Sequence, residues 1–496
     1  MKNNLFKRVI AAVLALMLAI GMLGMISCSN EPADDKSDGD SAQSGETPSG
    51  SDNTDPAVDE DVPDTDDLPA DLNYGGYEFR IATRERNFFH SNWITDDFDG
   101  SRINDAIYDR QCAVEERLGI SFVENLVEQT EPIRVAMIAG SDDYDMINAR
   151  CSDSWSYAEQ DLYVPVSELT YIDLEKSYWD DNLNAAMTVG GQMYFATGAS
   201  NITGYDLTHA LLFNKEMISD YGLTVPYDLV HDGAWTIEEF AMMAEAVTSD
   251  SEGSEDEMVY GFLSQPKQIL PGFWIAAGML SIEKNEEDIP EFTLPGNEAF
   301  VELFDLAYEI TYDNGSWFVN QSRANEDPVL VDMFQADRGL FYDASCFYIE
   351  NLRNMETDFG ILPYPKYDEA QDDYYSRIEG CEMTGVPVTV ADKERTSAVL
   401  EALASLSATT VEPAYYDIVL KSQAARDNDS SEMLDIIFAN RVFDLGDTIW
   451  CDTLRDGVFE TMFMQDDRNL SSKLESVTPV LESKIEESVA AFADTQ

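Results

Sequence analysis

Basic residues are scarce in this chain of 496 residues. Lys and Arg together number 30 against 96 Asp and Glu, so the formal net charge is −66 at pH 7. A field of that sign repels polyanions, and nucleic acid and anionic lipid headgroups are therefore not expected to bind the folded surface. Strongly anionic small ligands are also disfavoured, unless a local pocket overrides the field.

The residues of common catalytic and metal sites are scarce as well. The chain has three histidines, and none belongs to an HExxH, P-loop, GxSxG or GxGxxG motif. The acidic stretch "TDDFDGSRINDA" fails the EF-hand spacing, because positions 1 and 12 would be Thr95 and Ala106. These absences favour binding over catalysis, with no metal and no cofactor expected. The 96 acids nevertheless leave a glycosidase-type carboxylate pair open.

Cysteines neither pair nor cluster in the sequence. There are six, with no CxxC pair and no zinc spacing, and the five beyond position 28 allow at most two disulfides. No disulfide is predicted. One of the five, Cys112, falls on the apolar side of a helical pattern and is expected to be a buried free thiol. The others are Cys151, Cys346, Cys381 and Cys451.

Aromatic residues are absent between Cys28 and Tyr74. Residues 31–72 contain fifteen acids and a single lysine. Low hydrophobicity combined with like charge cannot offset the entropy lost on folding. We therefore expect a disordered acidic tether over residues 28–72, of which residues 31–72 are dispensable for folding and for ligand affinity. The folded part should begin near Tyr74.

The N-terminal segment has the pattern of a secretion signal. Lys2, Lys7 and Arg8 precede an apolar run over residues 9–25, and "MISC" ends that run at Cys28. The end of the run is similar to a bacterial lipobox. The similarity implies that residues 1–27 are removed as a signal peptide and that Cys28 is diacylated. An ordinary secretory signal followed by a chance cysteine is the alternative.

Strand and helix patterns alternate along the rest of the chain. The first strand is "GYEFRIATRE", where apolar residues alternate, and the helix "INDAIYDRQCAVEERLG" follows it with apolar residues at helical spacing. Strands at "ISFVEN" and "DYDMINA" flank the short helix "PIRVAMIAG". This alternation predicts an open α/β sheet whose loops at the carboxyl ends of the strands face the ligand. The pattern renews itself beyond residue 200, which predicts a second α/β lobe.

Several segments, taken in order, resemble the family 1 extracellular solute-binding proteins of ABC importers. They include "LLFNKEMISDYGLTVPYD", "GAWTIEEFAMMAEAVT", "FQADRGLFYDASCFYIENLR", "DFGILPYPKYDE" and "GVPVTVADKERTSAVLEAL". The resemblance implies a periplasmic-binding-protein-like fold of type II, in which two α/β lobes with crossing hinge strands enclose a ligand cleft. It places the N-terminal lobe at residues 73–202 and 383–440 and the C-terminal lobe at residues 203–382 and 441–496.

The resemblance also implies a function. The chain would be a receptor on the outer face of the membrane of a Gram-positive-type cell, held in the bilayer through acylated Cys28. It would bind a carbohydrate, an oligosaccharide by preference, and deliver it unchanged to the permease subunits of an ABC transporter. An extracellular glycoside-processing enzyme, a receptor for another solute, and an adhesin without a small ligand are the alternatives.

A sugar site needs aromatic platforms for the C–H faces and polar groups for the hydroxyls. Trp155 and Trp274 are the predicted stacking platforms of the N-terminal and C-terminal lobes. Trp179, Trp235 and Trp450 lie inside periodic segments and are expected in the core. The full set of candidate ligand-binding residues on the predicted cleft loops is Arg84, Glu85, Trp93, Asp153, Trp155, Ser200, Tyr205, Trp274, Asp343, Phe347 and Glu382.

Overall fold

Two four-stranded sheets organise the chain. The computed structural model describes residues 64–85, 93–249, 258–319, 328–352, 355–421 and 428–493. The predicted signal peptide, the lipidation site Cys28 and the tether as far as residue 63 lie outside these residues. The strands are β1 (Tyr77–Arg84), β2 (Ile120–Val127), β3 (Met146–Arg150), β4 (His209–Asn214), β5 (Tyr260–Leu263), β6 (Ile282–Lys284), β7 (Pro290–Phe292), β8 (Gly339–Ser345), β9 (Phe359–Leu362), β10 (Ser376–Arg377), β11 (Glu382–Gly385) and β12 (Arg441–Val442).

The first sheet has the strand order β11-β3-β1-β2. β1 runs parallel to β2 and to β3, and β11 closes the other edge antiparallel to β3. Phe79 and Ile81 of β1 are fully buried, as their alternation in the sequence predicts. Because β1 and β3 are parallel neighbours, their carboxyl ends reach the same edge of the sheet.

The second sheet has the order β5-β8-β4-β9. β4 is antiparallel to both β8 and β9, and β5 is parallel to β8. All residues of β4 and of β8 are buried. Strands that are buried on both faces require cover on both sides, and helices supply it. The prediction of two α/β lobes is confirmed.

Helices cover the sheets and connect their strands. The α-helices are α1 (Arg102–Leu118), α2 (Glu131–Ile138), α3 (Cys151–Glu159), α4 (Asp181–Met187), α5 (Ile202–Asp206), α6 (Lys215–Asp220), α7 (Pro226–His231), α8 (Ile237–Ser249), α9 (Pro266–Ala276), α10 (Glu298–Tyr308), α11 (Pro328–Gln335), α12 (Cys346–Ile349), α13 (Lys393–Thr409), α14 (Val411–Lys421), α15 (Asn428–Ala439), α16 (Leu445–Thr448), α17 (Thr461–Gln465) and α18 (Leu470–Ala493). Two segments are π-helical, Glu309–Asp313 and Arg455–Glu460. No helix in the described ranges combines the length and the apolar character needed to span a bilayer.

The sequence determines where helix α1 begins and ends, but the predicted burial of Cys112 on this helix is wrong. Ser101 caps its start, and Gly119 ends it with φ 62°, a backbone conformation that favours glycine. The buried face carries Arg110 beside the predicted apolar residues, and the Arg110 guanidinium donates to Ser407 Oγ at 3.2 Å. Cys112 follows Arg110 by two residues, which turns it to the opposite face of the helix. The prediction of a buried Cys112 is wrong, because its side chain is exposed.

Residues 64–72 pack on the folded body instead of belonging to a disordered tether. Leu68 is 8% exposed and lies in the same apolar cluster as Phe79 of β1. Asp66 pairs with Arg117 at 2.5 Å, and Asp67 pairs with Lys176 at 2.8 Å. Burial opposes the charge on Asp66, but the hydrogen bond from Arg117 lowers the pKa of its carboxyl below the usual value. The boundary predicted at residue 72 is therefore wrong.

Removing residues 64–72 should destabilise the protein. A chain that begins at Asn73 loses the burial of Leu68, which is worth about 1.5–3 kcal/mol, together with the Asp66 ion pair. Urea unfolding should show a lower midpoint than that of a chain beginning at Asp64, which serves as the matched control. Leu68→Ala in the longer chain should reproduce most of the loss. Equal midpoints for the two lengths would show that residues 64–72 add no stability.

Two chain segments of the described ranges cross between the sheets, and they bond to one another. The first contains α5 and the second runs through β10 to β11, with β12 lying beside them. β10 pairs in parallel with β12, and Thr208 of the first crossing bridges to Ile378 of the second. The Glu379 N–H also donates to the Leu207 carbonyl oxygen at 3.0 Å. Adjacent crossings of this kind form a hinge between two lobes.

The helices after β11 do not all follow the predicted lobe boundaries. Leu434 and Ile437 of α15 share an apolar cluster with Leu212 of β4 and Ile361 of β9. Helix α15 thus lies against the second sheet, although residues 383–440 were assigned to the lobe of the first. The C-terminal helix α18 contacts both β7 and α3, because its apolar residues extend along most of its length. The remaining boundaries stay a prediction.

Candidate ligand-binding cleft

A cavity of about 330 Å³ opens where the two sheets meet. Arg84 and Arg150 are the last residues of β1 and β3, and Ser345 is the last residue of β8. The cavity is lined from both sides, by Arg84, Arg150, Cys151, Leu207, Lys267, Ser345, Tyr348, Glu379, Gly380, Cys381, Thr448, Asp452, Arg455, Asp456 and Glu460. The position fits the rule that ligands of α/β sheets bind beyond the carboxyl ends of the strands. We call this cavity the cleft.

A chain of charged groups forms one wall of the cleft. Lys267 Nζ lies 3.1 Å from Glu379 Oε1, and Glu379 Oε2 lies 3.3 Å from His209 Nε2. His209 Nδ1 lies 2.7 Å from Asp343 Oδ1, and Ser264 donates to the other oxygen of that carboxylate at 2.7 Å. Each charge therefore meets an opposite one, which is the condition for burying such groups.

The pKa values follow from these neighbours. Burial alone would raise the pKa of Glu379, but Lys267 and His209 hold it well below its usual value. Burial would also lower the pKa of His209, and the Asp343 carboxylate outweighs that effect and raises it. Both shifts favour the charged forms, in which the Glu379 carboxylate and the His209 imidazolium attract each other.

The π-helical segment Arg455–Glu460 forms a second part of the lining. Arg455 pairs with Asp456 at 2.6 Å and lies 3.5 Å from the carboxylate of Asp447. Asp447 is fully buried and also pairs with buried Arg377 at 2.6 Å. The wider π-helical turn is frequent at functional sites. Here it presents Asp456 and Glu460 to the cavity while Arg455 anchors the turn.

The floor of the cleft is formed by the ends of the first sheet. Arg84 lies 3.9 Å from Glu382, and the Arg150 guanidinium donates to Cys451 Sγ at 3.5 Å. Burial raises the pKa of Cys451 to about 11, and it raises the pKa of Cys151 and Cys381 as well. The thiols are therefore protonated at neutral pH and do not act as nucleophiles.

Cys451, Asp452 and Asp456 are close enough to suggest a metal site. One potential ligand atom from each lies within 4.8 Å of the others. The chemistry does not fit, however, since Asp456 already pairs with Arg455 and the Cys451 thiol keeps its proton. Two guanidinium groups, of Arg150 and Arg455, border the same cavity and would repel a cation.

Some of the candidate residues from the sequence do meet at the cleft. Arg84 lines it, and Glu382 lies behind Arg84. Asp343 is buried beneath the wall, in contact with His209. Phe347 is half-buried and touches Tyr348, with ring centroids 5.6 Å apart, and it is Tyr348 that lines the cavity.

The predicted tryptophan platforms do not line the cleft. Trp155 is 2% exposed and packs on Phe492, with ring centroids 4.9 Å apart. Trp274 is fully buried and donates from Nε1 to Asp444 at 3.1 Å. Both are core residues because they lie in the second and third turns of α3 and α9, on faces covered by the C-terminal part of the chain. The prediction of two stacking indoles is corrected accordingly.

The remaining candidates serve the scaffold. Trp93 is buried against the first sheet, and Asp153 accepts from Thr130 Oγ1 at 3.0 Å. Tyr205, in the first crossing, donates to Glu412 at 2.6 Å and lies under the Arg441 guanidinium. Glu85 is exposed and Ser200 half-buried, and neither lines the cleft.

Most of the charged lining was missed from the sequence. Arg150 ends the predicted strand β3 but was not selected, and the other missed residues lie after β5, before β11, and in the turn and π-helical segment after α16, where no strand or helix pattern marked them. One signal was available, because with only 30 basic residues in the chain every Lys or Arg next to a strand end is unusual. The missed residues include Arg150, Lys267, Glu379, Asp452, Arg455, Asp456 and Glu460.

Comparison with solved structures identifies the fold. An ABC substrate-binding protein of Listeria monocytogenes, solved with cycloalternan, superposes with a TM-score of 0.56 at 13% identity, over 83% of this chain and 99% of that one. A receptor of Streptomyces glaucescens, solved unliganded and with acarbose, gives 0.54 at 11% identity, over 83% and 99%. A cyclo/maltodextrin-binding protein complexed with maltotetraose gives 0.57 at 15% identity, over 83% and 98%.

These likenesses establish the architecture. The chain has the periplasmic-binding-protein-like fold with two α/β lobes, as the sequence predicted. No protein-family model matches the sequence, and no curated protein matches it either. At sequence identities of 11–15%, these likenesses establish the fold alone.

Proposed function

We propose that the chain is the solute receptor of an ABC importer and that it binds a carbohydrate in the cleft. The single observation that carries the proposal is the cleft itself, a polar cavity between two hinged lobes with charged side chains from both. The fold shared with sugar-binding proteins of ABC transporters supports it. Anchoring at Cys28 and delivery to a permease complete the proposal.

The lining suits a polyhydroxylated ligand. A sugar hydroxyl both donates and accepts, so it can bond to guanidinium and carboxylate groups at once. The cleft offers Arg84 at the end of β1, Glu379 before β11 and Asp456 in the π-helical segment. Tyr348 is the aromatic residue among the lining residues and can face a C–H surface of the ring.

The hinge gives this binding a mechanism. Lys267 and Glu379 belong to the side of the second sheet and the crossings, whereas Arg84 and Arg150 end strands of the first. A ligand that touches both groups binds the closed form more tightly, and that differential affinity shifts the two lobes toward closure. A permease that contacts both lobes can then distinguish the loaded receptor from the empty one.

The test is a panel of mono- and oligosaccharides, scored by thermal shift and then by calorimetry. A saccharide at a hundred times its Kd should stabilise the protein by about 2.7 kcal/mol and should be recovered intact by mass spectrometry. If peptides or other solutes bind and no sugar does, the carbohydrate assignment is wrong and the receptor assignment stands. A sugar that is recovered cleaved would favour the glycoside-processing enzyme instead.

A further inference from the structure

We propose that the carbohydrate of this cleft carries a carboxylate, and that Arg150, with Arg84 beside it, binds that carboxylate. The inference rests on the proposed function and narrows its substrate class to acidic saccharides of the uronic acid type. It starts from a contrast between the cleft and the rest of the molecule.

The charge balance of the cleft differs from that of the chain. Acidic residues outnumber basic ones by about three to one overall, 96 to 30. Among the lining residues the numbers are equal, four and four. The cleft thus holds positive charge that the surface lacks, which provides the local override that an anionic ligand needs. The four basic residues are Arg84, Arg150, Lys267 and Arg455.

The four cations are not equally neutralised. Lys267 has Glu379 at 3.1 Å, and Arg455 has Asp456 at 2.6 Å. Arg150 differs, because its guanidinium forms no ion pair with a carboxylate of the described residues. Its side-chain hydrogen bond there runs to Cys451 Sγ, at 3.5 Å.

That sulfur is a weak acceptor and carries no charge, since burial raises the pKa of the Cys451 thiol to about 11. Burial lowers the pKa of Arg150, and neighbouring groups outweigh that effect and raise it, Asp452 among them from beyond ion-pair distance. The side chain of Asp452 is itself exposed. Partial burial of a guanidinium group that has only a neutral partner costs free energy, unless an anion binds to it. The open side of Arg150 faces the cavity.

The surroundings of Arg150 favour an anion further. Arg150 is the N-cap residue of α3, and no side chain caps that helix end. The positive end of the helix dipole therefore adds to the guanidinium charge. Arg84 ends the neighbouring parallel strand and also lines the cavity, so two guanidinium groups share one floor.

A carboxylate suits this floor better than a phosphate. The planar fork of an arginine matches a carboxylate with two parallel hydrogen bonds. A phosphate dianion would meet stronger repulsion from Asp456 and Glu460, which line the same cavity. Those two carboxylates can instead accept from the hydroxyls of the sugar. A monoanionic uronate therefore fits both the arginines and the carboxylates of the lining.

The experiment uses the full mature chain and matched pairs of ligands. Glucuronic, galacturonic and mannuronic acids and their disaccharides are each compared with their methyl esters and with the neutral sugar of the same stereochemistry. We expect at least one uronate to bind roughly ten- to a hundredfold more tightly than its methyl ester, the range for hydrogen bonds to a charged group. The difference should shrink as salt rises.

Variants locate the effect. Arg150→Met keeps the aliphatic stem and should remove most of the preference for the acid over its ester, whereas Arg150→Lys should retain part of it. Arg134→Met is the matched control, because Arg134 pairs with exposed Glu131 on the surface and does not line the cleft. The ratio between acid and ester reports recognition and is insensitive to a general loss of stability. Should Arg150→Met not fold, Arg150→Lys and the ester comparison decide.

The outcomes separate the two proposals. Neutral sugars that bind as tightly as the uronates, or more tightly, overturn the carboxylate inference and leave the carbohydrate receptor standing. A full preference for the acid in folded Arg150→Met shows that Arg150 is not the binding group. If no saccharide in the panel binds, the carbohydrate function and the inference fall together.

Discussion

Trp274→Ala should destabilise the protein by about 3–5 kcal/mol, the usual cost of removing a large aromatic side chain from a core. Trp274 is fully buried in α9, packs on Phe300 and Phe459, and donates to the buried carboxylate of Asp444. Removing the indole leaves a cavity between these rings and deprives Asp444 of a donor. Urea unfolding followed by circular dichroism measures the effect as a lower midpoint.

Tyr348→Ala provides the contrasting variant, because Tyr348 is half-buried and lines the cleft. Its loss should cost little stability and should weaken ligand binding instead. Trp274→Phe, which keeps a ring but loses the N–H, should fall between wild type and Trp274→Ala in stability. A stable Trp274→Ala protein with impaired sugar binding would mean that the indole contacts the ligand after all.

Asp447→Asn should cost about 3–5 kcal/mol, as expected when one partner of a buried ion network is removed. Asp447 is fully buried between Arg377 and Arg455, which are 1% and 5% exposed in their side chains. The amide that replaces it cannot balance two guanidinium groups in a medium of low dielectric constant. Thermal and urea unfolding should both register the loss.

Asp313→Asn is the matched control on the surface. Asp313 pairs with Arg468 at 2.7 Å, but both side chains are about half exposed, at 52% and 42%. Exposed pairs of this kind contribute roughly 0–1 kcal/mol. Similar losses for the two variants would indicate that the buried network is no more important than the surface pair.

The lobes could be predicted from the sequence because their signals are local. β1 alternates apolar and polar residues, and α1 has a cap, a helical stripe and a terminal glycine within the nineteen consecutive residues from Ser101 to Gly119. Such patterns need no knowledge of the rest of the chain. The position of Arg84 in the lining of the cleft could be predicted for the same reason, since it ends a recognisable strand.

The tryptophans could not be placed because their burial is decided by distant residues. Trp155 is covered by Phe492 of α18, and Trp274 by Phe459 of the π-helical segment. Neither partner is visible in the local pattern around the indole. The part of the lining that comes from residues 448–460 was missed for the same reason, because these residues meet the first half of the chain only in the folded protein.

The tether boundary failed for a different reason. Composition describes the average behaviour of a segment, and residues 28–72 are on average too acidic and too polar to fold. A few contacts, of Leu68 in the apolar cluster and of Asp66 and Asp67 with Arg117 and Lys176, are enough to hold the last part against the body. Individual contacts of this kind do not change the average composition of the segment, so composition cannot predict them.

The position of β11 at the edge of the first sheet has a consequence for folding kinetics. β3 ends at Arg150, but its antiparallel partner begins only at Glu382, after the whole second sheet has been made. Until β11 has paired with β3, the edge of β3 is exposed, both during synthesis on the ribosome and during refolding. Open strand edges of this kind pair readily with other chains. Closing so long a loop is slow. Capture of β11 should therefore set the pace of refolding, and dilution should favour the native monomer over aggregates.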